Sequence, residues 1–156
     1  MKWLINLHVT EKRWLQALGD THAKKLVSDT LNAVPCNPDK PFEIAVVLAN
    51  NDFVRNLNDC HRDRNVPTNI LSYPTNDPNQ ESLGDLILAY ETCCHEANEQ
   101  KKQFAHHVAH LLIHGLLHLL GYDHQNDSDA EIMEQKEIRF LKTIGIDNPY
   151  EDTAYA

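Results

Sequence analysis

The first apolar run, Trp3-Leu4-Ile5-Asn6-Leu7-His8-Val9, alternates with a period of two and predicts a strand over residues 3–9. From Thr10 or Glu11 the spacing becomes helical through Trp14, Leu15, Leu18, Leu26 and Leu31, with a break expected at Gly19-Asp20. Pro35, Pro38 and Pro41 mark a connecting loop. Residues 44–49 read as a buried strand, after which Asn51 or Asp52 can cap a short helix toward Asn58. A third strand covers residues 69–73. The polar, proline-bearing stretch 74–82 reads as a mobile loop bordering a cleft, and residues 83–89 form a fourth strand. Helices follow over 91–99 and 101–120, the second with Leu112, Leu116, Leu119 and Leu120 on its apolar side. The pair Ser128 and Glu131 has capping-box spacing for a last helix, which Gly145 ends. This order of about four strands and about five helices implies an α+β fold, and 156 residues suit a single domain, with residues 151–156 a flexible tail.

The chemistry concentrates in His114-Gly115-Leu116-Leu117-His118-Leu119-Leu120-Gly121-Tyr122-Asp123-His124. Residues four apart on a helix differ by about 40° around the axis and about 6 Å along it, so His114 and His118 can reach one ion. Gly121 sits where a helix takes a left-handed stop, which frees the chain to bring His124 back toward that pair. His110 shares the face, but the rise from 110 to 118 is about 12 Å against metal–nitrogen bonds of about 2 Å, so it belongs to the supporting shell or the packing. Three imidazoles without a thiolate resemble a catalytic zinc site, where one coordination position stays open to water; structural zinc is closed by four protein ligands. Asp123 is expected to orient an imidazole. Gly115 follows the first histidine where an H-E-x-x-H protease has its glutamate, so peptide hydrolysis lacks its usual base.

A second cluster, Arg62-Asp63-Arg64-Asn65-Val66-Pro67-Thr68-Asn69-Ile70-Leu71-Ser72-Tyr73-Pro74, places two arginines before a strand. The planar guanidinium fork of Arg62 matches phosphate oxygens and points to an anionic substrate; pairing with Asp59 or Asp63 is the structural alternative. Taken together, His61 to Pro74, Leu83-Gly84-Asp85-Leu86-Ile87-Leu88, the run from His110 through His124 and the Pro149-Tyr150 ending resemble the YbeY family of bacterial metal-dependent endoribonucleases. His61 stands where the family has an aromatic, Arg64 for Lys and Asn65 for Asp. The resemblance implies a mixed sheet, one zinc ion on His114, His118 and His124, and an active-site role for Arg62. It further implies cleavage of single-stranded RNA, maturation of the 16S rRNA 3′ end and ribosome quality control on the small subunit. Asp85 enters only through its family-like motif, as a base candidate beside His110 and Asp123. The imidazole set alone also suits nickel or copper. Two rivals stand beside this reading: a metallohydrolase of another substrate, and a non-catalytic ribosome-assembly factor stapled by zinc.

Composition narrows the setting. The initial apolar stretch is too short for a signal peptide and no run reaches membrane-spanning length, which implies a cytoplasmic protein without membrane contact. Cys36, Cys60, Cys93 and Cys94 lack CxxC pairing, as expected of reduced thiols. A net charge of -9 repels phosphate at long range. The acid gathers late, at Asp127, Asp129, Glu131, Glu134, Glu137, Asp147, Glu151 and Asp152, while Arg55, Arg62, Arg64, Lys101 and Lys102 precede the histidines. A local basic cleft is therefore expected, with weak RNA affinity supplemented by a ribosomal partner and no expectation of DNA binding.

Overall fold

The computed structural model describes residues 2–37, 39–62, 68–75 and 82–150, and all their side chains except those of 59–62. Four strands and six helices follow in the order β1 (Leu4–Val9), α1 (Arg13–Leu18), α2 (Asp20–Leu31), β2 (Glu43–Ala49), α3 (Asn51–Arg62), β3 (Ile70–Pro74), β4 (Ser82–Ala89), α4 (Tyr90–Glu99), α5 (Phe104–Leu119) and α6 (Asp127–Thr143). Six helices among the described residues agree with the expected count of about five, and the break expected at Gly19-Asp20 is present, where Gly19 divides the first helical stretch. Its N–H bonds to the Leu15 carbonyl and its own carbonyl accepts from Ala23, both at 2.8 Å, so one helix closes and the next opens on the same residue. The expected loop over 74–82 falls largely on residues 76–81, and the expected tail on 151–156; both lie outside the described residues.

The sheet has the order β1-β2-β4-β3, with β1, β2 and β4 parallel and β3 antiparallel to β4, so it is mixed as expected. Alternation along the central strands assigns each face its own core. Ile44, Val46 and Leu48 of β2 and Leu86 and Leu88 of β4 join the larger core with Leu112, Leu116 and Leu141. On the other face Ala49, Ile87 and Ala89 pack with Leu71 and with Val54 of α3. Helix α5 is central and packs against α2, α4, α6, β3 and β4. Gly115 permits that approach, since a Cβ there would stand 2.8 Å from Leu86 Cδ2 and 2.9 Å from Ile70 Cδ1. Of the four leucines expected on the apolar side of α5, Leu112, Leu116 and Leu119 are buried, but Leu120 ends the helix and is exposed.

Two helix starts differ from the sequence expectation. The Asn50 carboxamide oxygen accepts from the Phe53 N–H at 2.9 Å, so Asn50 caps α3. Asn51 instead accepts from the backbone and hydroxyl of Thr92. In α6 the cap is Asn126, which accepts from Asp129 N–H at 2.8 Å, and not Ser128. That earlier start places Asp127 and Asp129 in the first turn, where the helix dipole favours negative charge.

Candidate metal centre

One side of α5 carries His107, His110, His114 and His118, with successive ring centroids 6.5, 6.4 and 4.6 Å apart. Beyond the helix, Gly121 N–H bonds to the His118 carbonyl and Tyr122 N–H to the Leu117 carbonyl, both at 3.0 Å. These are the two bonds of a Schellman stop, and Gly121 supplies the positive φ of 101° that it needs. The reversal brings the His124 ring to 5.7 Å from that of His114 and 5.1 Å from that of His118. One ligating atom from each of the three lies within 4.8 Å of the others.

The Nε2 atoms of His114 and His118 face one another at 3.1 Å. Two bonds of about 2.0–2.1 Å at a tetrahedral angle separate donors by about 3.3 Å, so the spacing fits one zinc-sized ion. The donor chemistry fits as well. His114 Nδ1–H donates to Glu137 Oε2 at 2.9 Å, and because a carboxylate only accepts, the proton is fixed on Nδ1 and the Nε2 lone pair is left free. Burial, with help from the neighbouring His114 and His124, holds the His118 pKa below its ordinary 6.5, so this imidazole is neutral in neutral solution. Among the described residues the group contains three histidines and no fourth side-chain donor.

Glu137 was not singled out by the sequence reading, yet it organises the centre from α6. It is wholly buried, and besides His114 it accepts from His110 Nε2 and the Tyr150 hydroxyl, each at 2.5 Å on Oε1. Burial alone would raise its pKa, but the hydrogen bonds from His110, His114 and Tyr150 outweigh it and bring the pKa to about 2. Burial and the Glu137 carboxylate raise the Tyr150 pKa, so the phenol keeps its proton and donates. His110 thus stands behind the trio, bonded to the carboxylate that orients His114. A signal for Glu137 was present: Met133, Phe140 and Leu141 are buried at positions i, i+7 and i+8 of α6, and a carboxylate at i+4 of that stripe requires partners.

The other named residues separate. Asp123 lines the cleft, but its Oδ1 accepts from the backbone N–H of His124 at 2.8 Å, bracing the returning turn; Glu137 is the carboxylate that holds an imidazole. Asp85 is exposed and shares the parity of Ile87 and Ala89 along β4, which places it on the α3 side of the sheet, opposite the histidines. Burial nevertheless raises its pKa. The side chain of Arg62, on the last residue of α3, lies outside the described residues, as does Arg64. Arg55 pairs with Asp52 on the surface of α3. The described lining of the cleft carries a single lysine, Lys102, so a strongly basic cleft is not what these residues form. Cys36, Cys93 and Cys94 are free thiols, and burial pushes the Cys93 pKa up.

The trio lies in a cleft of about 950 Å³ between the histidine side of α5 and the residues Ile70, Ser72 and Pro74 of β3. Tyr150 closes part of its rim. At the end away from His124, His107 Nε2–H donates to Glu96 Oε1 at 2.9 Å, and Asn69 Nδ2 donates to both Glu96 oxygens. Burial lowers the His107 pKa despite the pull of Glu96. Lys102 Nζ donates to the Pro149 carbonyl at 2.7 Å, and burial lowers its pKa too. Among the described residues no helix is long and apolar enough to cross a membrane.

Residues 8–145 match the family model described as Endoribonuclease YbeY. The chain is 42% identical over 147 residues to the Endoribonuclease YbeY of Paramagnetospirillum magneticum, covering 88% of this chain and 89% of that protein. It is 39% identical over 156 residues to the Endoribonuclease YbeY of Methylocella silvestris, covering 97% and 88%. The solution structure of TM1509 from Thermotoga maritima shares the fold, with a TM-score of 0.55 and 23% identity over 90% of this chain and 89% of that one. A family model that runs from the end of the first strand past the end of the last helix takes in the whole histidine cluster, and with it the chain belongs to the endoribonuclease YbeY family.

Proposed function

We propose that this chain is a zinc-dependent endoribonuclease that cuts single-stranded RNA. The observation that carries the reading is the convergence of His114, His118 and His124, with the first two Nε2 atoms 3.1 Å apart, inside a cleft of about 950 Å³. These three residues would hold the ion, which supplies Lewis-acid polarisation of a phosphodiester at this position. Glu137 keeps the proton on His114 Nδ1, and the turn braced by Asp123 keeps His124 facing the helix. The β3 wall confines the strand against α5. Arg62 is assigned the task of neutralising charge that builds on the phosphorus: the chain passes from the end of α3 to Thr68 and Asn69, which line the same cleft.

The cellular role follows the family. We assign the chain to the cytoplasm, with the small ribosomal subunit as its working surface, in maturation of the 16S rRNA 3′ end and in ribosome quality control. Its charge of -9 and the single lysine in the described cleft lining agree with weak binding of free RNA that a ribosomal partner supplements. The test pairs metal analysis of the purified protein with cleavage of a defined single-stranded RNA, with and without chelator. Loss of cutting on chelation and its return with zinc are expected. Cutting that survives complete metal removal would separate the ion from the chemistry.

A further inference from the structure

The sheet ends on β1 at one side and β3 at the other, and the two edges are finished differently. On β3, the bonds from Ala89 N–H to the Asn69 carbonyl and from Thr75 N–H to the Leu83 carbonyl turn the odd-numbered residues toward β4, so the main-chain groups of Ile70, Ser72 and Pro74 face outward. Pro74 has no N–H, and that of Ile70 is taken by Asn69 Oδ1 at 2.7 Å. Such an edge is blunted. On β1, the bonds from Leu4 N–H to the Phe42 carbonyl and from Thr10 N–H to the Leu48 carbonyl, both at 3.0 Å, turn the even-numbered residues toward β2. The N–H and C=O groups of Ile5, Leu7 and Val9 therefore face outward, and none of the described residues bonds to them. Strand β1 has no Lys, Arg, Asp, Glu, Pro or Gly and pairs with β2 without a bulge, so it lacks the usual devices against edge pairing.

We propose that β1 pairs antiparallel with β1 of a second copy of this chain, with Leu7 on the two-fold axis. In this register Ile5 stands opposite Val9 of the second copy and Leu7 opposite its own counterpart, so every outward residue enters a hydrogen-bonded pair and about six bonds form. A shift of two residues sets Val9 against Trp3, or Ile5 against Glu11, whose N–H groups are already bound to Asn32 Oδ1 and to the Leu48 carbonyl. The register that satisfies the open edge is thus the symmetric one, which is why a second copy fits it better than an unrelated strand. Although the chain carries a net charge of -9, the paired strands bring no acidic or basic side chains together. Beside β1, Lys24, Val27 and Ser28 of α2 border a groove of about 470 Å³ that would receive Leu7 and Val9 of the second copy. The blunted β3 edge stops growth at two copies, and because the metal cleft borders β3, both clefts stay at the outer ends of the pair.

The pairing is independent of RNA cutting and is read from mass. Sedimentation equilibrium of the purified full chain, from micromolar to submillimolar concentration, is expected to show a reversible dimer. Leu7→Pro removes the two central N–H donors of the pair while leaving the bonds between β1 and β2 in place, and it should raise the dissociation constant at least about tenfold with an unchanged circular dichroism spectrum. Leu7→Cys gives a second readout, which decides the matter should L7P misfold. Cα atoms of a hydrogen-bonded antiparallel pair stand about 5.5 Å apart, within disulfide reach, so mild oxidation should join two copies through position 7, as mapped by mass spectrometry. Leu4→Cys should not crosslink to its counterpart, which lies about 20 Å away in the same register. A wild-type chain that stays monomeric throughout, a dimer equally strong in folded L7P, or equal crosslinking through positions 4 and 7 would each overturn the pairing.

Discussion

Replacing Glu137 by Gln tests whether a buried carboxylate on α6 sets the donor state of the metal centre. The wild-type group accepts three hydrogen bonds, from His110, His114 and Tyr150. An amide has one oxygen and one NH2, so it cannot serve both sides. If the NH2 faces His114, Nδ1 must become the acceptor and the proton moves to Nε2, the atom that faces His118. Loss of such an orienting partner costs about 10- to 100-fold in metal affinity, or about 1.4–2.7 kcal/mol. If the NH2 instead faces His110 and Tyr150, two bonds to a charged acceptor disappear, and metal-free stability should fall by about 3 kcal/mol, or about 6–12 °C in Tm. Competition with a chromogenic chelator measures the first quantity and circular dichroism of the metal-free protein the second. A folded E137Q protein with zinc affinity within twofold of wild type, and an unchanged metal-free Tm, would refute the reasoning.

Other outcomes follow from the same geometry. His124→Ala should weaken zinc binding more than His110→Ala, because His110 contacts Glu137 and not the trio; the reverse order in metal titrations would overturn the ligand assignment. Arg62→Ala should lose about 2.7–4 kcal/mol of transition-state stabilisation while the circular dichroism spectrum is unchanged, and activity within threefold of wild type would remove its role. Gly115→Ala gains about 1 kcal/mol of helix propensity but drives a Cβ against Leu86 and Ile70 at an overpacking cost of about 1–3 kcal/mol, so denaturant unfolding should show a net loss of up to about 2 kcal/mol and no gain. With pH, metal-free stability should decline as the solution falls below 6.5, because the unfolded chain takes up protons that His118 resists when folded. A second decline belongs to Glu137, whose contribution is complete above its ordinary 4.5 and is lost toward about 2; E137Q should lack that lower limb in urea titrations.

The convergence of the three histidines was legible because its information is local. A four-residue helical step and a glycine stop define it within eleven positions, and the Schellman bonds at Leu117 and His118 carry out the reversal that Gly121 implies. The strands were equally legible from their two periods, and parallel β2 and β4 read as continuous apolar runs. What escaped needed the third dimension or a choice between equal candidates. Glu137 meets His114 across 23 residues, so only its place on a buried stripe could have marked it. Asp85 sat within a suggestive motif, but strand parity sends it to the opposite face. The helix caps slipped because Asn50, Asn51, Asn126 and Ser128 all have capping chemistry, and tertiary bonds such as that of Asn51 to Thr92 decide among them.

The Schellman reversal after α5 joins the three donor histidines and their carboxylate brace into a single helical hairpin, α5 with α6, while the opposing wall of the cleft comes from β3 and α4. The histidine cluster and the wall that faces it therefore come from separate stretches of chain, so a substitution on β3 reshapes the cleft without touching a residue that holds the three imidazoles in register.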